Sequence, residues 1–223
     1  MKRLCFRFDI DTHKCIRDGV PRLLQLSDRY NVPFTFFLNC GKSISIINSL
    51  KKLLSSGRSV SDGESPQMMS AIQKLGVKDY IEAVVLNPNV SRYKSQIKQL
   101  LDSSCEVGLH GGRNHALWGG TNEWNLNSVQ EELYWSLNQL NQISKKYMPK
   151  GFASPEWNSP HFLSGVLKEM GFVYYGDLRC VEQEPIRLGG ELPLIGVNLL
   201  GEPGGVAFFE YCRVNGLTDN EIV

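Results

Sequence analysis

The chain has 223 residues, of which 42% are hydrophobic, and its 24 lysines and arginines nearly balance its 23 aspartates and glutamates. A chain of this length can bury one sizeable core, so we expect a single domain that spans residues 1 to 223. The near-zero net charge gives no indication of a nucleic-acid partner or of strong attraction to an anionic membrane.

The six cysteines lie at positions 5, 15, 40, 105, 180 and 212 without any C-x-x-C pair. This spacing is not that of a zinc ribbon, a redox dithiol or a disulfide framework, so we expect reduced core thiols. Charged residues interrupt the stretch after Lys2 and Arg3, and no segment approaches roughly 18 uncharged apolar residues. We therefore expect a soluble, cytoplasmic protein.

Short apolar runs alternate with amphipathic patterns along most of the chain. The predicted strands cover residues 4 to 10, 34 to 39, 105 to 110, 151 to 155 and 173 to 178. Helices are predicted at residues 19 to 32, 43 to 56, 67 to 75, 93 to 102, 127 to 147 and 161 to 172, with a polar loop at 58 to 66. Strands that alternate with helices predict a parallel sheet with helical cover.

Polar side chains stand at the ends of two of these strands. Asp9 and Asp11 end the first strand in FDIDTHKC, and His110 ends the third, with His115 following in HGGRNH. Alternate strand residues face the same side, so the two carboxylates would repel each other unless a positive charge lies between them. The carboxyl ends of parallel strands are where α/β folds place their active sites.

A divalent metal is one solution to this repulsion. If Asp11, His110 and His115 bound the ion, one position would stay open for water, as in a hydrolytic site. Asp9 would then be left to act as a general base. The alternative is a solvated turn at D-x-D and a polar loop at HGGRNH, and His13 and His161 are either spare ligands or surface histidines.

Five segments of the sequence match the motif order of one family. RFDIDTHKCIRDGVPRLL, NVPFTFFLN, EVGLHGGRNHALW, SPEWN and YYGDLRC extend from the first strand to about residue 180. Together they resemble the polysaccharide deacetylase (NodB-homology) family. Within it the chain is most similar to the branch that contains the deformylase of undecaprenyl-phosphate formamido-arabinose, a lipid-linked sugar used to modify lipid A.

The resemblance implies an α/β fold, a distorted NodB-type (β/α) barrel of parallel strands with outer helices, from which the last strand could be missing. It also implies a metal-dependent hydrolase that removes an N-acetyl or N-formyl group from an amino sugar. The sugar could be lipid-linked, and the reaction would serve the biosynthesis or modification of cell-envelope glycans such as lipopolysaccharide. A lipid-linked substrate would bring the protein to the inner face of the cytoplasmic membrane.

The family's motifs also imply roles for individual residues. Asp9 would be the catalytic base, and Asp11, His110 and His115 would bind the metal. Zinc is the expected ion, and cobalt, nickel, manganese or iron also suit one aspartate with two imidazoles. The residues expected to contact substrate or to support the site from behind are Asn114, Glu156, Trp157, Asp177 and Arg179. The oligomeric state is left open.

The sequence departs from the family pattern in three places. The family commonly protonates the leaving amine with a histidine near the C-terminus, but no histidine follows His161. Many members place the second histidine where this chain has Asn114, with His115 one position later. The usual arginine-proline motif is replaced by Ser154, Pro155, Glu156 and Trp157.

Two alternatives to an active deacylase are therefore considered. The first is a deacetylase-like protein that binds carbohydrate without turnover. The second is a phosphatase of the haloacid dehalogenase type, which also begins with a strand and D-x-D. That signature requires threonine or valine where this chain has His13 and a later aspartate where it has Val181. It would also leave His110 and His115 unexplained.

Overall fold

The computed structural model describes residues 5–44, 71–85, 89–115, 118, 124–179, 186–187, 192–197 and 216–218. Its strands are β1 (Arg7–Ile10), β2 (Thr35–Leu38), β3 (Glu106–His110), β4 (Gly151–Ala153), β5 (Tyr174–Arg179), β6 (Ile186–Arg187) and β7 (Pro193–Val197). They form one sheet in the order β1-β2-β3-β4-β5-β7-β6. The five predicted strands are confirmed, whereas β6 and β7 were not predicted.

Helices connect the strands. They are α1 (Val20–Tyr30), α2 (Ala71–Leu75), α3 (Val77–Val85), α4 (Asn89–Arg92), α5 (Lys94–Leu101), α6 (Leu126–Ile143) and α7 (Leu163–Glu169). Four predicted helices are confirmed as α1, α5, α6 and α7, and α2 is the end of a fifth. The predicted helix at 43 to 56 and the loop at 58 to 66 lie outside the described residues, apart from residues 43 and 44. Over the ranges given above, no helix combines the length and the apolar character needed to cross a bilayer.

The strands β1 to β5 pair in parallel in chain order, and β7 continues the sheet in parallel on β5. Only β6, among the strands described, is antiparallel. Parallel neighbours require crossover connections, which the helices supply between successive strands from β1 to β5. The predicted parallel sheet with helical cover is therefore confirmed.

The sheet is strongly curled. β1 and β5 are four positions apart, so in a flat sheet they would be separated by roughly 19 Å. The guanidinium of Arg7 on β1 nevertheless donates a hydrogen bond to the carbonyl oxygen of Gly176 on β5. Because an arginine side chain cannot reach across a flat sheet of this width, the first and fifth strands must face each other across a concave surface.

The convex face of the sheet is apolar and forms the core with the helices. Its fully buried residues include Phe36, Leu38, Leu109 and Phe152. The helices contribute buried residues to the same cluster, among them Leu24, Ile97, Leu133 and Leu167. On α6 the apolar stripe at helical spacing consists of Val129, Leu133, Leu137 and Leu140, which are all buried, and of Ile143, which is half-buried. The 3.6-residue apolar period therefore placed this helix correctly.

The concave face is narrower and contains the polar residues. In register across β1, β2 and β3 it presents Asp9, Phe37 and Gly108. A methyl group on Gly108 would lie 2.6 Å from Cε1 of Phe37 and 2.6 Å from the carbonyl oxygen of Gly151. Only glycine at this position leaves room for the Phe37 ring inside the curled sheet.

Helix α3 was not predicted. Ion pairs connect it to the segment after β1 and to α4. Arg17 Nη1 lies 2.9 Å from Asp79 Oδ1, and His13 Nε2 lies 3.6 Å from both Asp79 Oδ1 and Glu82 Oε2. Arg92 Nη1 lies 3.2 Å from Glu82 Oε1. The hydrogen bond from Arg17 lowers the pKa of Asp79 to about 2.

Four of the six cysteines lie in described ranges, and all four are free thiols. Of these, Cys40 is buried, Cys15 and Cys105 are half-buried and Cys5 is exposed. The prediction of unpaired thiols is confirmed for these four, but Cys5 is not a core residue.

Gly108→Ala should destabilise the fold by about 1 to 3 kcal/mol, because the added methyl group must displace the Phe37 ring or the β4 backbone. The matched control is Gly165→Ala in α7, where a Cβ would meet nothing within 4 Å. This control should gain up to about 1 kcal/mol from helix propensity. Urea unfolding measures both, and equal stabilities of the two variants would contradict the packing argument.

Asp79→Asn should lower the urea midpoint at pH 7. The folded-state pKa of about 2 is below the unfolded value of about 3.9, so the carboxylate stabilises the fold above about pH 4 and loses this effect as the pH falls towards 2. The difference from wild type should therefore shrink at pH 3. Asp102→Asn, which breaks the exposed pair with Lys98, should change little at either pH. A deficit for Asp79→Asn that is the same at both pH values would disprove this account.

Candidate functional site

Three of the predicted ligands converge at the carboxyl edge of the sheet. Asp11 follows β1, His110 ends β3 and His115 lies in the loop after it. Asp11 Oδ1 lies 3.1 Å from His110 Nε2 and 3.3 Å from His115 Nε2. The two imidazole rings are 4.9 Å apart at 60°. One carboxylate oxygen and two ring nitrogens thus point at a common position.

A hydrogen bond fixes the chemistry of His110. Its Nδ1 lies 2.9 Å from the carbonyl oxygen of Ala153 on β4. A carbonyl oxygen only accepts, so Nδ1 carries the proton and Nε2 of a neutral ring presents a lone pair. That lone pair faces Asp11 Oδ1, which is also an acceptor. The contact is favourable only if the ring is protonated or if a cation lies between the two atoms.

The spacing of the three atoms fits a cation. All three ligand atoms lie within 4.8 Å of one another. A tetrahedral ion with ligand distances of 2.0 to 2.2 Å separates its ligands by roughly 3.3 to 3.6 Å, close to the observed 3.1 and 3.3 Å. The hydrogen bond from His110 to Ala153 is the kind of support that orients metal-binding histidines. Asp11, His110 and His115 could therefore hold a divalent metal.

The same three residues are electrostatically coupled. Burial opposes ionisation of Asp11, but the hydrogen bonds and charges of the two histidines hold the pKa of its carboxyl well below the usual range. Burial also opposes protonation of His110, yet the carboxylates of Asp9 and Asp11 raise the pKa of its imidazole. The site attracts positive charge, whether a proton or a metal ion supplies it.

Asp9 is balanced by a residue that we did not predict. Arg7 Nε donates to Asp9 Oδ1 and Arg7 Nη2 donates to Asp9 Oδ2, both at 2.7 Å. We had expected a metal ion to offset the repulsion between Asp9 and Asp11. The structure gives Asp9 a cation of its own on the same strand, and the offset by a metal ion stays a prediction.

The loop that carries His115 is clamped from two sides. The backbone N–H of Lys42, after β2, donates to the carbonyl oxygen of Arg113, and the carbonyl oxygen of Lys42 accepts from the backbone N–H of His115. On the other side, Glu132 Oε2 on α6 accepts from the N–H of Asn114 at 3.1 Å and also receives the N–H of Arg113. Burial raises the pKa of Glu132. Asn114 thus helps to hold the loop through its backbone.

Neighbouring side chains also fix the backbone of Asp11. Asn39 Nδ2 and Ser43 Oγ donate to its carbonyl oxygen at 2.8 and 2.7 Å. Asn39 in turn accepts the N–H of Gly41. The polar residues after β2 thereby position the end of β1.

Asp177 supports the site indirectly. Its carboxylate accepts the N–H of Ser154 at 2.6 Å, the hydroxyl of Ser154 at 2.7 Å and the hydroxyl of Ser159. Burial raises the pKa of Asp177, and these hydrogen bonds oppose that effect. The register shift between Tyr175 and Leu178 on β5 is the kind of irregularity that redirects a side chain. Asp177 therefore anchors the turn after β4.

That turn has a strained backbone. Glu156 and Trp157 have φ values of 57° and 58°, in the left-handed region that non-glycine residues rarely adopt. Glu156 is exposed, whereas the ring of Trp157 lies 4.6 Å from the guanidinium carbon of Arg7. The predicted supporting residue Arg179 ends β5, but its side chain lies outside the described part of the structure.

The two other histidines lie away from the three ligand candidates. His161 is exposed and contacts Phe162. His13 is buried and faces Asp79 and Glu82, a second group with metal-like spacing. Because arginines already neutralise both of these carboxylates, we interpret this group as an ion-pair network.

Two residues that contribute to the site, Arg7 and Glu132, were not predicted from the sequence. Arg7 stands two positions before Asp9, so the two-residue period of a strand places both on one face. The contact between Arg7 and Asp9 could therefore have been predicted. Glu132 lies on α6 far along the chain from the loop that it holds, and no spacing rule connects the two.

No family model matches the chain. Among solved structures, its fold is similar to that of a Mycobacterium smegmatis protein provisionally described as a polysaccharide deacetylase, with a TM-score of 0.56 and 19% identity. That similarity covers 88% of this chain but only 58% of the other. Two further structures also match. One is a CE4 family pseudoenzyme from Bacillus anthracis, with a TM-score of 0.49 and 12% identity over 78% of this chain and 43% of that one. The other is IcaB from Ammonifex degensii, with a TM-score of 0.48 and 19% identity over 94% of this chain and 70% of that one. The first comparison confirms the predicted fold class, a curled parallel sheet with outer helices.

Glu132→Ala should weaken binding of Zn²⁺ by about 10- to 100-fold, the range found for residues that orient metal ligands. The physical reason is that two loop N–H groups lose their acceptor and His115 loses its fixed position. Glu131→Ala, at an exposed neighbouring position, is the matched control and should bind as wild type does. Titration against a competing chelator measures both affinities. Equal affinities would show that the hydrogen bonds from the loop to Glu132 do not contribute to metal binding.

Proposed function

We propose that this protein is a metal-dependent hydrolase that removes an N-acyl group from an amino sugar. The observation that carries the proposal is the meeting of Asp11 Oδ1 with the Nε2 atoms of His110 and His115 at 3.1 and 3.3 Å. Asp9 provides a second carboxylate at the same strand end, held by Arg7. A ligand group with a separate base beside it is the arrangement that amide hydrolysis needs.

Each residue has a distinct task in this proposal. Asp11, His110 and His115 hold the divalent ion, which when bound polarises the acyl carbonyl and makes water a stronger nucleophile. Asp9 accepts the proton of the attacking water. Trp157 and Glu156 contact the sugar, and Asp177 keeps the turn that carries them in place through Ser154 and Ser159.

The finer assignment follows the motif order of the sequence. The segments from RFDIDTHKC to YYGDLRC support the polysaccharide deacetylase family and, within it, the formamido-arabinose deformylase branch. On this basis the substrate is an N-formyl or N-acetyl amino sugar, lipid-linked at the inner face of the cytoplasmic membrane, and zinc is the preferred ion. The fold shared with the Mycobacterium smegmatis protein is compatible with this assignment.

A sugar-binding protein without turnover is the second candidate, and the distribution of histidines favours it. The chain has four histidines. Two are ligand candidates, His13 is buried in an ion-pair network and His161 is exposed beside Phe162. None of them has a geometry that assigns it to protonating the leaving amine. A phosphatase, by contrast, would leave the meeting of His110 and His115 with Asp11 without a purpose.

The deciding experiment combines metal analysis with an acyl-release assay on N-formyl and N-acetyl amino sugars. Wild type should bind Zn²⁺ and release formate or acetate, lose activity on chelation and regain it with Zn²⁺ or Co²⁺. Asp11→Asn should lose the metal. Asp9→Asn should keep the metal and lose about 10²- to 10⁴-fold in rate, the usual contribution of a general base.

Asp28→Asn, at an exposed position on α1, is the control and should keep both properties. Metal and sugar binding by wild type without any release of amine would favour the binding protein. Failure of wild type to bind metal, or metal binding that survives Asp11→Asn, would refute the hydrolase proposal.

A further inference from the structure

Arg7 holds the carboxylate of Asp9 by two parallel hydrogen bonds. Its Nε and Nη2 each donate to one oxygen of Asp9 at 2.7 Å. A two-point pair of this kind fixes the plane and the direction of a carboxylate, which a single contact does not. Both oxygens of Asp9 therefore accept from the guanidinium, and each keeps a second lone pair that can accept a proton.

Arg7 is itself held on every side. Its guanidinium carbon lies 4.7 Å from the ring centre of Phe37 and 4.6 Å from that of Trp157. Its remaining nitrogen, Nη1, donates to the carbonyl oxygen of Gly176, where a Cβ would lie 3.1 Å from that nitrogen. The side chain is only 12% exposed. The two rings and the β5 backbone thus leave the guanidinium one position.

This arrangement separates two chemically identical side chains. Asp9 and Asp11 are two residues apart at one strand end, about 7 Å along the chain. The group of atoms that lie within 4.8 Å of one another contains Asp11, His110 and His115, and Asp9 is not part of it. A carboxylate without another partner at this distance could turn towards the cation and fill the position that water needs.

We propose that Arg7 is a positioning residue that keeps Asp9 out of the ligand sphere of the metal and aimed as a base. This inference rests on the proposed function. The strained turn at Trp157 contributes to this positioning, because it supplies the second ring that confines the guanidinium of Arg7. Asp177 holds that turn through Ser154.

The test uses Co²⁺ alone, because its visible absorption reports the number and type of its ligands. Arg7→Met should bind Co²⁺ about tenfold more tightly, with a changed spectrum, because Asp9 becomes a ligand and a positive charge near the ion is removed. The double variant Arg7→Met with Asp9→Asn has the same local net charge as wild type and should return to the wild-type spectrum. Arg7→Lys keeps the charge without the two-point geometry, so it should show the spectral change with a smaller gain in affinity.

Arg29→Met is the matched control, since Arg29 is an exposed arginine that also stacks on an aromatic ring, 5.5 Å from the centre of Tyr30. It should leave the spectrum and the affinity unchanged. On an amino sugar that wild type hydrolyses, Arg7→Lys should lose about 10²-fold in kcat with little change in KM.

The outcomes distinguish this inference from the proposed function. Wild-type spectra for both Arg7→Met and Arg7→Lys would overturn it, as would tighter binding without any spectral change, which would be a simple charge effect. If Arg7→Met fails to fold, Arg7→Lys alone decides. A wild-type protein that binds no Co²⁺, or that binds it independently of Asp11, would instead overturn the hydrolase proposal.

Discussion

The interaction on which the site depends is the ion pair between Arg7 and Asp9 inside the curled sheet. The concave face gathers two carboxylates and two imidazoles within a small space, and unbalanced charges of one sign would repel each other there. Arg7 balances the first carboxylate, and the histidines balance the second. The curl itself is tied to this solution, because the same guanidinium joins β1 to the backbone of β5.

Space on the concave face is the second constraint. Arg7, Phe37 and Trp157 fill it as a stack of flat groups. The strands beneath can approach them only where side chains are missing, at Gly108 and Gly176. Chemistry and packing are therefore not separable here. A residue that widened the sheet would also release Arg7 and, with it, the direction of Asp9.

Much of this could be predicted from the sequence, and the exceptions have physical causes. Strands β1 to β5 and the ligand candidates follow from local patterns, since a strand end fixes where its last side chains point. Helix α3 reverses the usual pattern. It buries Asp79 at 9% exposure while Val77, Ile81 and Val85 are 66%, 56% and 74% exposed. Its acid is buried because cations from other segments meet it, and no reading of the helix alone contains that information.

Residue type alone could not distinguish the proposed base, Asp9, from the proposed metal ligand, Asp11. Both are aspartates at the end of one strand, and the sequence offered only the family's motif order to tell base from ligand. In the fold, Asp11 meets the Nε2 atoms of two imidazoles and Asp9 meets a guanidinium with two N–H groups in parallel. The first environment favours sharing a cation, and the second satisfies both oxygens without one. The different roles that we propose for them therefore rest on their partners, one of which, Arg7, lies only two residues from Asp9 in the sequence.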